Sequence, residues 1–166
     1  MNFFNVFAFI AGSVFLAPAI AQLPSSDQET MRGRLYGLGE GLAAAAAIYS
    51  HPAHVEPLVG SATINLPIEK RYFAAKGLRV VVLKSAQVDF VTPLSVEVTT
   101  AESLRLIDHD WPEMNSAAIV GNFGPPISQT SSLIRYKGLA EICSDFIDIG
   151  LKDEKMVSVK WTFCTD

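Results

Sequence analysis

Val157-Ser158-Val159-Lys160-Trp161-Thr162-Phe163 alternates apolar and polar residues without a break. Successive side chains of an extended strand point to opposite faces, so this stretch reads as a strand with one buried and one wet face. The same period of two recurs upstream. Leu94, Val96 and Val98 alternate with Ser95 and Glu97, Val88 and Phe90 alternate with Gln87 and Asp89, and Leu104 and Leu106 flank Arg105. Val80-Val81-Val82-Leu83 is a short run apolar on both faces. Turn residues separate these segments: Thr92-Pro93, Asp110-Trp111-Pro112, Gly124-Pro125-Pro126, Lys137-Gly138 and Gly150. Several short strands at such intervals indicate an antiparallel sheet of sandwich or barrel-like form. The stretch from Leu139 to Ile149 fits two readings. Leu139, Ile142, Phe146 and Ile149 suit a helix, and Ile142 to Ile149 also suits a strand.

Before about Ser61 the period changes. Ser26-Asp27-Gln28-Glu29 has the spacing of a capping box, and a helix starting there runs to about Tyr49, where His51-Pro52 ends it. Leu35, Leu38, Leu42 and Ile48 approximate an apolar stripe. Gly33, Gly37, Gly39 and Gly41 oppose that helix by about 1 kcal/mol each relative to Ala. Gly33, Gly37, Gly41 and Ala45 recur every fourth residue, which makes a smooth stripe that another backbone can approach closely. Close packing on the protein's own sheet is one expectation from it, and weak self-association through Gly33, Gly37 and Gly41 is another. The uncharged stretch from Gly41 to Ser50 rises only about 15 Å as helix, against a hydrocarbon core of about 30 Å, so no stable membrane span is expected. The expected fold class is therefore α+β: an N-terminal helix followed by a mainly antiparallel β sandwich or barrel-like sheet.

Residues 1–21 carry no acid, lysine or arginine, and their apolar run gives way at Pro18 to Ala19-Ile20-Ala21. That pattern predicts a signal peptide cleaved after Ala21, with a leader lacking the basic start usual in bacteria. The expected location is secreted and extracellular, or periplasmic for a bacterial source. Taking 21 of the 166 residues away leaves 145, enough chain for one core. Cys143 and Cys164 are the only two cysteines, and in an oxidising compartment two cysteines most simply pair with each other.

Lys70-Arg71 has the dibasic form that secretory convertases cut. Cleavage there would divide the exported chain into a helical pro-region, residues 22–71, and a β-rich domain, residues 72–166. An adjacent basic pair also arises by chance about once in a chain of this composition.

His51 and His54 stand three apart beside Glu56, and His109 lies between Asp108 and Asp110, so the three histidines are candidate ligands for zinc or copper. Pro52 breaks the register that would align the first two. His109 with its flanking acids is also the candidate centre of a hydrolase. Yet no Gly-x-Ser-x-Gly, His-Glu-x-x-His, phosphate-binding loop or dinucleotide fingerprint accompanies it, and no cofactor is expected. Trp111 and Met114, set between turn residues, are candidate contacts for a partner, with Trp111 equally suited to plugging one end of the core. With 13 basic and 17 acidic residues and a net charge of −4, no basic patch interleaved with aromatics points to nucleic acid. The expectation is a small secreted interaction protein, effector-, toxin- or inhibitor-like, that works by binding a protein or surface partner without catalysis.

Overall fold

The structure is a computed structural model, and it describes residues 24–58, 68–85, 91–140 and 143–164. The leader, with its cleavage position at Ala21, and the pair Val88 and Phe90 lie outside the described residues.

Helix α1 spans Ser25–Tyr49. Pro24 occupies its N-cap at φ −53°, and the backbone N–H groups of Asp27 and Gln28 both donate to the Pro24 carbonyl at 3.0 Å. The Ser26 capping box does not form, because Ser26 already sits inside the first turn and its carbonyl accepts from the Thr30 hydroxyl. The helix stops at Ser50, which turns to an extended backbone just before Pro52. Leu35, Ala43, Ala46 and Ala47 are buried, and Leu38 and Leu42 pack at the margin of the core. Ile48 leaves the expected stripe and is 69% exposed.

The strands are β1 (His54–Leu58), β2 (Ile68–Ala75), β3 (Leu78–Ser85), β4 (Val91–Val98), β5 (Ser128–Gln129), β6 (Leu133–Lys137), β7 (Phe146–Lys152) and β8 (Lys155–Thr162). They form one antiparallel sheet in the order β1-β2-β3-β4-β8-β7-β6-β5. The α+β expectation holds, and the strands form one open sheet where the sequence predicts a sandwich or barrel-like sheet. Strand alternation requires a covered face but does not say what covers it; here the cover is helical. Two-residue turns close the tight hairpins. Lys76 and Gly77 take positive φ between β2 and β3, and Asp153 and Glu154 do so between β7 and β8, as the twist of a hairpin demands.

Three expected features fall elsewhere. Leu104 and Leu106 belong to helix α2 (Ala101–Ile107), capped by the Thr100 side chain, with Leu104 buried and Leu106 80% exposed. Residues two apart on a helix point in nearly opposite directions, which imitates a strand's alternation. Thr92-Pro93 lies within β4, where the ladder to β3 slips register and so tolerates a proline. Gly150 lies within β7, opposite Ser158. The ambiguous stretch up to Ile149 resolves as β7 from Phe146 onward.

A 3₁₀ turn (Trp111–Glu113) and helix α3 (Ser116–Phe123) complete the helical layer. Leu104, Ile119 and Phe123 from this layer meet Val82, Val96, Ile149 and Trp161 from the sheet in a single core. On the other face, Arg135, Asp148, Lys160, Glu97 and Arg79 stand opposite one another across five neighbouring strands, a row of alternating charge. Cys143 and Cys164 are joined by a disulfide with their Cα atoms 6.0 Å apart, tying the segment before β7 to the end of β8.

Candidate functional site

Glu29, Arg32 and Tyr36 follow one another along one flank of α1 at helical spacing. Across from them run Tyr136 and Lys137 of β6, then Gly138 and Leu139, with Pro125 and Ile127 on the approach to β5. Between these walls lies a cleft of about 250 Å³. Its rim is apolar and open: Ile127 is 56% and Leu139 57% exposed. Neither Arg32 nor Lys137 forms a salt bridge among the described residues, and both border the apolar rim together with Glu29.

The floor is held rigidly. The Tyr36 hydroxyl donates to Asp145, and burial together with that carboxylate raises the Tyr36 pKa well above the ordinary tyrosine value. Asp145 is buried, and its other oxygen accepts the Cys164 backbone N–H at 2.6 Å. Gly138 has no substitute here, since a Cβ would collide with Asp145 and the Tyr36 ring. The Tyr136 hydroxyl donates to the Gly124 carbonyl at 3.2 Å. Burial pushes the Tyr136 pKa up to about 12, with nearby Arg32 opposing the shift. Two edge-on aromatic contacts, Tyr36 with Phe163 and Phe123 with Tyr136, brace the same floor.

A second hollow of about 310 Å³ lies on the opposite flank of α1, between Met31, Arg34 and Leu38 and the residues Ile107, Asp108 and Trp111. Trp111 is only 7% exposed and belongs to the core, so little of its ring is open to a partner. Met114 packs partly buried beside it, and its carbonyl accepts the Met156 N–H at 3.1 Å.

The histidines occupy separate places. His51 lies in the link after α1 beside Phe73, and His54 opens β1 with its ring 3.4 Å from the Glu56 carboxylate. His109 follows α2, with its side chain 91% exposed and 3.0 Å from Asp110. Among the described residues, the set of His, Cys, Asp and Glu close enough to share an ion is instead Cys143, Asp145 and Cys164. The sequence offered one hint of it, a carboxylate two positions after a cysteine.

Lys70 and Arg71 lie inside β2, paired with β1 on one side and β3 on the other. The Arg71 guanidinium grips Glu69 at 2.8 and 3.0 Å. A convertase binds its substrate as a free extended strand, so cleavage here requires β2 to leave the sheet. Gly33, Gly37 and Gly41 point outward, with open space where a Cβ would stand, and close packing on the sheet falls to Gly39 instead. Among the described residues no helix is long and apolar enough to cross a membrane.

No protein-family model matches the chain, and no curated protein or solved structure matches it either.

Proposed function

We propose that the protein is a small secreted interaction module, effector-, toxin- or inhibitor-like in its mode of action, that works by binding a partner without catalysis. Its contact surface is the cleft between α1 and β6. The observation that carries this reading is the pairing of exposed Ile127 and Leu139 with Arg32 and Lys137 around one preformed hollow. Apolar side chains open to water gain about 25 cal/mol per Å² when a partner covers them. Cations at the rim add orientation and encounter rate more than affinity. A rigid floor lowers the ordering cost of association, and the Tyr36–Asp145 bond, the disulfide and Gly138 provide one. The hydroxyls of this site are locked in structural hydrogen bonds, which suits binding better than turnover.

The test places a photo-crosslinking residue at position 139, with position 79 on the far face as control, and exposes each protein to the extracellular fluid of the native host. The reading expects an adduct unique to position 139 that Lys137→Glu weakens. Identical adducts from both positions would sink it. So would turnover of a substrate that a single substitution abolishes without unfolding.

A further inference from the structure

Asp145 is 1% exposed, yet none of the ion pairs among the described residues includes it. It is held by two neutral donors, the Tyr36 hydroxyl on one oxygen and the Cys164 N–H on the other. A buried carboxylate without a cation is costly, and structures usually place a positive charge beside one. The groups nearest in kind to a cation's ligands are the two cysteine sulfurs: Cys143 Sγ, Cys164 Sγ and an Asp145 oxygen all lie within 4.8 Å of one another. Two thiolates and a carboxylate form a donor set suited to Zn²⁺, whose tetrahedral shell sets thiolate sulfurs about 3.8 Å apart. Opening the S–S bond to that spacing needs only small side-chain rotations, because the Cα atoms are 6.0 Å apart. Both cysteines are half-buried, so a water can complete the shell from the solvent side. The hydrogen bonds from Tyr36 and Cys164 would serve as the outer supports that orient a ligating carboxylate.

We propose that the dithiol form of the protein binds one Zn²⁺ through Cys143, Cys164 and Asp145, in a site that the disulfide closes. Opening it takes two electrons and two protons onto the sulfurs. A phosphine supplies the electrons and leaves as phosphine oxide, its oxygen taken from water. The metal then displaces the two thiol protons, and metal binding and disulfide formation exclude each other.

The protein is reduced with a phosphine, freed of it without air, and titrated with Zn²⁺ and with Cd²⁺, the disulfide form serving as control. The expected result is one equivalent bound by the dithiol form alone, with a thiolate-to-cadmium charge-transfer band and slowed reoxidation. Asp145→Asn should bind tenfold more weakly or worse. Should reduction itself loosen the fold, one equivalent of Zn²⁺ is expected to restore the far-ultraviolet circular dichroism. Cadmium NMR of the wild type reads the donors directly, whether or not Asp145→Asn folds, and two sulfurs with oxygen donors are expected. Absence of stoichiometric binding to the dithiol form overturns the proposal. So does equal affinity in a folded Asp145→Asn, or a four-sulfur signal from two chains sharing an ion.

Discussion

Gly39 lies against the Trp161 ring so closely that a Cβ at position 39 would come within 2.6 Å of the indole carbons. The same indole donates its Nε1–H to the Leu35 carbonyl, one turn back along α1, at 2.8 Å. Helix and sheet are thus joined at one place by a missing side chain and a buried hydrogen bond.

Gly39→Ala should therefore destabilise the protein by about 1–3 kcal/mol, the range for forcing a methyl into a packed core. Gly37→Ala and Gly41→Ala face open space and should stabilise by up to about 1 kcal/mol each through helix propensity. Urea unfolding midpoints decide it. A Gly39→Ala variant as stable as the wild type or more so would mean that Gly39 does not bear on Trp161.

The disulfide closes a loop with a sequence separation of 21. Replacing Cys143 and Cys164 together with serine should cost about 3 kcal/mol in the chain-entropy model. Comparison of the double variant with the wild type by chemical denaturation measures this. A cost near zero would place the stabilisation in the hydrogen bonds around Asp145.

Alkali should unfold the protein through two phenols, the buried Tyr136 and the half-buried Tyr36. Tyr136 has its pKa raised from an ordinary 10.0 to about 12, and Tyr36 is raised as well. A raised folded-state pKa contributes stability that is complete below the unfolded value and is lost as pH rises through the folded one. Stability should accordingly hold to about pH 10 and fall toward pH 12. Tyr36→Phe and Tyr136→Phe should each flatten part of that fall. An ultraviolet phenolate titration completed near pH 10 with the fold intact would contradict the raised values at both rings.

On the outer face, Lys160 stands between Asp148 and Glu97 in the row of alternating charge. Lys160→Glu sets three acids side by side and should cost about 0.5–1 kcal/mol, much of it recovered in high salt. Thermal melts at low and high ionic strength measure the difference. A salt-independent loss would assign the effect to packing of the lysine stem.

Much of this architecture was legible in local patterns. Val157 to Phe163, Leu94 to Val98 and Val80 to Leu83 announced β8, β4 and β3, and His51-Pro52 marked the end of α1. Pairing of the two cysteines followed from their number. What stayed hidden depends on contacts between distant residues. Gly39 and Gly37 look alike in the sequence, and only Trp161, more than a hundred residues away, distinguishes them. Leu104 and Leu106 carry a strand's spacing inside a helix, because a seven-residue segment is too short to reveal its period. The cleft joins residues near 30 to residues near 137, and no local pattern encodes such a meeting. The scarce histidines are the conspicuous zinc-ligand types in the sequence, while the set that converges in the fold includes an aspartate whose burial the sequence does not announce.

The order of the strands has a kinetic consequence. β1 to β4 and β5 to β8 are each built from neighbours in the chain, and the two groups meet through four residue pairs between β4 and β8. Val98 and Val159, adjacent in the sheet, are 61 positions apart in sequence. Hairpins within each group can form in microseconds, whereas closing the long loop between the groups comes at a much larger entropic cost. Docking of the two half-sheets is then the expected slow step of folding, and the α1 contact with Trp161 forms with it, whereas α1 can meet β3 and β4 on the first half-sheet alone.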